Sequence, residues 1–108
     1  MPGTTVSRGN ILYDWLIAPS LTPVEVAAST AAEQSFTIQG LLVGDIASIN
    51  CNAAQTAGLG IGNVRVPSVN TLTVEFTNST AGALTPVSGV YNIVIKRPET
   101  GTVQTSAV

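Results

Sequence analysis

Residues 71–98, TLTVEFTNSTAGALTPVSGVYNIVIKRP, constrain this chain more than any other stretch. They hold two runs of alternating polarity joined by a polar loop. Leu72, Val74 and Phe76 alternate with Thr71, Thr73, Glu75 and Thr77. Tyr91, Ile93 and Ile95 alternate with Asn92, Val94 and Lys96. Successive side chains on a strand point to opposite faces, so each run has an apolar face to bury. The rest of the chain must supply the other wall of that core.

The same period recurs upstream. Residues 24–28 (VEVAA) alternate and read as a strand. Thr30-Ala31-Ala32-Glu33 fits a helix capping box, but no apolar helical run follows it. SFTIQ follows instead, with Phe36 and Ile38 on one face and Ser35, Thr37 and Gln39 on the other. Gly44-Asp45 marks a turn, and residues 46–50 form the next strand. A hairpin of residues 36–39 against residues 46–49 is the expected pairing. Residues 59–66 (LGIGNVRV) read as a strand whose phase slips at Val64, which predicts a bulge near Gly62-Asn63. Pro67-Ser68 and Asn70 turn the chain into Thr71, and Pro98 stops the last ladder because proline cannot donate.

Strands at roughly 10–12-residue spacing, without a convincing helix, predict one all-β domain. The expected architecture is a single antiparallel β-sandwich of six to eight strands, immunoglobulin-like or jelly-roll-like, with extended terminal arms. The chain has 108 residues, enough for one core. The expected organisation is an N-terminal arm over residues 1–23, the sandwich over 24–98 and a C-terminal tail over 99–108.

Residues 11–17 (ILYDWLI) are the densest apolar patch and hold the only Trp. Ile11, Leu12, Trp15 and Leu16 fall at helical spacing, while Ile11, Tyr13, Trp15 and Ile17 would share a strand face. The patch either covers the chain's own core or grips a neighbouring subunit, since Trp and Tyr favour interface cores. Ile11, Leu12, Tyr13, Trp15, Leu16 and Ile17 are the candidate interface residues.

Composition narrows the chemistry. Charged residues are 9% of the chain, against roughly 25% in ordinary soluble domains. Such a surface loses little charge solvation when a partner covers it. The net charge is −2, and only Lys96 and Arg97 are adjacent cations, so no basic stripe for nucleic acid exists. No histidine is present, which removes Ser-His-Asp, Cys-His and histidine-metal sites. The single Cys51 can make no intrachain disulfide and reads as a small packed residue. Asp45 and Glu75 lack the spacing that would demand a glycosidase pair or a calcium loop. Gly58-Leu59-Gly60-Ile61-Gly62 fails the phosphate-loop pattern, because Asn63 follows and no helix does. Asn78-Ser79-Thr80 matches a glycosylation acceptor by chance in a polar loop. No stretch nears the ~20 apolar residues of a membrane span. The expectation is a non-enzyme with no cofactor, no metal, no nucleic acid and no membrane.

FTIQGLLVGDIASIN, followed by AGLGIGNVRVPSVNTLTVEFTNSTAGALTPVSGVYNIVIKRP, resembles small virion proteins of tailed bacteriophages. The shared pattern is an F-T-x-x-G strand, a V-G-D turn and G-L-x-I before R-V. N-T-L before an x-F-x-N strand, T-P, G-x-Y-x-[IV] and a closing R-P complete it. The resemblance covers about residues 35–98 and rests on turn and core residues. It implies a β-sandwich on the phage particle, specifically a capsid decoration or cement protein made in the host cytoplasm and carried on the capsid exterior. The implied partner is the major capsid protein, bound across subunit junctions. Self-association, with a trimer on local three-fold axes as one form, would follow shell symmetry. A fibre or tail-associated module that contacts host glycan through Tyr13 and Trp15 is the alternative.

Overall fold

In the computed structural model, which describes residues 11–99, the two alternating runs become the middle strands of two facing sheets. β1 is Ile11–Ile17, β2 Ser20–Leu21, β3 Thr30–Thr37, β4 Ile46–Cys51, β5 Leu59–Ser68, β6 Thr71–Asn78 and β7 Gly89–Pro98. β6 lies between β3 and β5, antiparallel to both. β7 pairs with β4 along one edge. Along its other edge run β1 and then β2, also antiparallel. No helix occurs among the described residues.

Phase decides what is buried. Leu72, Val74 and Phe76 of β6 face Ile93 and Ile95 of β7, all fully buried, with Val26, Leu41 and Val66 closing the core. Burying each large apolar side chain contributes about 1.5–3 kcal/mol, so this cluster drives the sheets together. The bulge expected at Gly62-Asn63 is present as a register shift between Ile61 and Val64. The Glu75 carboxylate fills the space where a Cβ on Gly62 would sit. It accepts the Asn63 N–H at 3.1 Å. Glycine there leaves room for the Glu75 carboxylate to lie over the bulge.

Strand order settles which sandwich this is. The β3-β6-β5 sheet matches strands B, E and D of an immunoglobulin-type fold, and β4 and β7 match C and F. The chain crosses between sheets at β2–β3, β3–β4, β4–β5 and β6–β7, while β5–β6 is a hairpin. β1 departs from the pattern, since the N-terminal strand occupies the place of the C-terminal G strand.

Several expectations are corrected. The hairpin of residues 36–39 with residues 46–49 does not form, because β3 and β4 lie in opposite sheets. Leu41 explains this: it is buried in the core, so the connection spans the layers. Residues 24–28 are no strand. Gln34 occupies both backbone groups of Val24, accepting its N–H at 2.8 Å and donating to its carbonyl at 2.7 Å. Only Val26 bridges, to Leu84. β3 begins earlier than expected, at Thr30, and ends at Thr37. Within the expected arm over residues 1–23, Ile11–Ile17 and Ser20–Leu21 are strands paired with β7. Residues 1–10 and 100–108 lie outside the described residues, and with them most of the expected tail.

Candidate functional site

The strand template wins in residues 11–17, and it divides the candidate interface residues. Trp15 and Ile17 turn inward and pack on the core. Ile11, Leu12, Tyr13 and Leu16 remain exposed, Leu16 the most at 64%. Leu16 sits on the outer face opposite Val94. The six residues are therefore not one grip. Two hold the fold and four are available to solvent.

Arg97 organises the end where β1 begins. Its Nε donates to Asp45 Oδ1 at 2.9 Å and its Nη2 to Asp45 Oδ2 at 2.8 Å. Nη2 also donates to the Gly40 carbonyl at 2.8 Å. The guanidinium lies 5.0 Å from the Trp15 ring centroid and 5.7 Å from that of Tyr13, and the two rings meet edge-on. Cation–π contacts of this kind favour a planar guanidinium. Asp45 is a buried residue whose second oxygen also accepts the Leu42 N–H at 3.0 Å. The Arg97 hydrogen bonds hold the Asp45 carboxyl below the usual range, against a smaller opposing push from burial. Asn70 joins the same lock: its Oδ1 accepts the Gly40 N–H at 2.8 Å and its N–H donates to the Leu41 carbonyl at 2.9 Å. Asn70 itself adopts φ 58°, a conformation Asn tolerates well.

The opposite end is closed without charge. The Tyr91 hydroxyl donates to the Val87 carbonyl at 2.6 Å and accepts from Gln55 Nε2 at 3.1 Å. Gln55 Oε1 accepts the Val87 N–H at 2.7 Å. This is the tyrosine corner of an immunoglobulin-type sandwich, at the E–F crossing. Burial pushes the Tyr91 hydroxyl above its ordinary pKa, with the Gln55 bond opposing. Asn78 is buried, with Nδ2 donating to the Val26 and Gly82 carbonyls and Oδ1 accepting from Thr80. Its amide nitrogen is committed to structure, and Asn78 closes β6 rather than lying in the loop expected for Asn78-Ser79-Thr80.

Several of the turn residues singled out in the sequence fall on these two locks. Gly44-Asp45, Asn70 and Arg97 meet at one end, and Asn78, Thr85-Pro86 and Gly89-Val90-Tyr91 surround the other. Sequence reasoning treated Asp45 as an isolated turn residue and missed its ion pair. The available signal was the closing Arg97-Pro98, which carries one of only four cations.

Glu75 serves the bulge, and Asp45 is neutralised by Arg97 in the other half of the structure. Glu33 and Arg65 make a bidentate pair at 2.7 Å across β6, which holds the Glu33 carboxyl low. No group of three His, Cys, Asp or Glu suited to a metal occurs among the described residues. A cleft of about 570 Å³ opens between β2 and β3 beside Phe36 and Gln34. Gln34 is tied to Val24 there. No helix among the described residues is long and apolar enough to cross a membrane. Compared with known proteins, the chain matches no family model, no curated protein and no solved structure.

Proposed function

We propose that this chain is a structural decoration, or cement, protein of a tailed bacteriophage. It binds the outer surface of the major capsid protein shell and stabilises it across subunit junctions, as a homo-oligomer. What supports this reading is the resemblance over about residues 35–98, whose turn residues Gly40, Asp45, Asn70, Tyr91 and Arg97 help hold a small sandwich closed. A low-charge surface with exposed apolar side chains supports it as well, since burying such a surface costs little charge solvation. Each apolar Å² covered contributes about 25 cal/mol before ordering costs, and repetition over a symmetric shell adds avidity.

The glycan-binding alternative is less supported, since Trp15 packs on the core under Arg97 and only Tyr13 of its two aromatics is exposed. The test is binding of purified protein to emptied or expanded capsids, read by co-sedimentation and by capsid disruption temperature. Bound protein that raises the disruption temperature supports the role. Shells that neither bind nor gain stability refute it. Trp15→Ala is a poor probe of the contact, because it removes core packing; Leu12→Asp and Leu16→Asp test exposed side chains instead.

A further inference from the structure

β3 has a strand on one side only. Among the described residues it pairs with β6 and with no other strand. Its register with β6 runs on past the strand, where the Ile38 N–H donates to the Asn70 carbonyl at 2.9 Å. Backbone groups along a paired strand alternate in direction with period two. With Ile38 turned to β6, Gln34 and Phe36 are turned there too, and the N–H and C=O groups of Glu33, Ser35 and Thr37 point the opposite way. On that side lies the cleft of about 570 Å³, with Ser20, Leu21 and Thr22 as its far wall. Phe36 and Val24 give the cleft apolar surface. A row of outward backbone groups beside such a cleft is an acceptor for a further strand.

Where the chain leaves the described structure indicates the occupant. β7 and β3 both run toward the end organised by Arg97, and Arg97 donates to the carbonyl of Gly40, just past the end of β3. The chain goes on beyond Glu99 as TGTVQTSAV, residues 100–108. A segment that turns back there, at Thr100-Gly101, runs antiparallel to β3, the more stable pairing. Thr37 to Glu33 is about 13 Å of strand, and residues 100–108 reach up to about 30 Å, which leaves several residues for the crossing past the start of β1. Val103, Thr105 and Ala107 alternate with Thr102, Gln104 and Ser106, so one face is small enough to lie against Phe36. No proline or charge interrupts the segment. Glu33, the one charge in the cleft lining, is already paired with Arg65, so seating the segment leaves no charge unpaired. Residues 1–10 join β1 at this same end, so in the cleft they would run parallel to β3, and they carry Arg8. We infer that residues 100–108 of the same chain seat in this cleft as a strand antiparallel to β3. Seated, they close the edge through which β3 could pair with a neighbouring copy.

Amide hydrogen exchange followed by NMR tests this, on the full chain, on a chain ending at Glu99 and on the full chain with Val103→Asp. In both variants the Glu33, Ser35 and Thr37 amides should exchange at least about tenfold faster than in the full chain. The Gln34 and Phe36 amides, bonded to β6, should keep their rates. Neither variant alters a core residue, so folding should survive, and unchanged exchange in β6 and β7 checks it. Unchanged exchange at Glu33, Ser35 and Thr37 overturns the inference. So does equal acceleration at Gln34 and Phe36, which would mean a general loosening of β3. Protection that is lost on deleting residues 1–10 instead overturns the choice of segment. Protection that falls on dilution overturns it as well, because a second copy would then supply the strand. None of these outcomes requires a shell contact, so the decoration role stands or falls separately.

Discussion

At the end where β1 begins, the sandwich is closed by an ion pair, Arg97 on Asp45, whereas at the opposite end Tyr91, Gln55 and Asn78 close it with neutral hydrogen bonds. Both ends solve the same problem. A chain crossing between sheets leaves backbone groups without ladder partners, and those groups must be bonded before they can be buried. The neutral end uses amides and a phenol, which satisfy several backbone groups without a buried charge. The charged end uses a carboxylate and a guanidinium, which bind more strongly but depend on each other. Exposed large apolar side chains gather around the charged end, at Ile11, Leu12, Tyr13, Leu42, Val43 and Val69, whereas Val90 is exposed at the neutral end.

The sharpest way to break this comparison is Arg97→Ala. It strands the Asp45 carboxylate, whose side chain is 1% exposed, and frees the Gly40 carbonyl. The expected loss is about 3 kcal/mol, near the lower end for buried pairs because Arg97 keeps some solvent access. Urea denaturation checks it. A loss no larger than that of an ordinary surface substitution would show the ion pair to be dispensable. At the other end, Tyr91→Phe removes the bond to Val87 and leaves the ring packed. It should cost about 1–2 kcal/mol by the same measurement.

The two ends should also fail at opposite extremes of pH. Asp45 has a folded pKa below its unfolded value of about 3.9. Its stabilisation is present above that unfolded value and is lost as pH falls through the folded pKa. Tyr91 has a folded pKa above its unfolded value of about 10, so its contribution is present below pH ~10 and lost as pH rises through the folded value. Stability measured between pH 5 and pH 2 should therefore fall in the native protein and fall less in Asp45→Asn. Alkaline titration by ultraviolet absorbance should show Tyr91 ionising late. The smallest effect belongs to Glu33→Gln, which breaks an exposed bidentate pair on the outer face of β6. Its drop in Tm should be less than that of Tyr91→Phe.

Much of the fold was legible because period two needs only local sequence. The inward sets of β6 and β7 and the bulge at Gly62-Asn63 follow from alternation and from where it slips. Pairing was less legible. Residues 36–39 and 46–49 look like a hairpin because they are near in sequence, and nothing local marks Leu41 as a core residue that carries the chain between sheets. Residues 24–28 alternate as a strand would, yet Gln34 takes the backbone groups of Val24 and only Val26 makes a bridge. The candidate interface was half legible. Apolar density located residues 11–17, but only the register with β7 separates inward Trp15 and Ile17 from outward Leu16. Leu42, Val43 and Val69 were overlooked because they stand in separate loops. Their proximity depends on Asp45 and Arg97, 52 residues apart in sequence.

The N-terminal strand in the G position has a consequence for how the chain is made. β1 can pair only with β7, and the Asp14–Lys96 pair spans 82 residues. On a ribosome, ILYDWLI emerges early and must wait for nearly the whole domain before its sheet exists. Such non-local closure places folding in the slow, millisecond-to-second class of β proteins. Until then an apolar strand with open edges is available to neighbouring nascent chains, the circumstance in which aggregation and strand exchange compete with folding. Asp14, set in the middle of that strand, gives it a charge during the wait and a partner at the end of it.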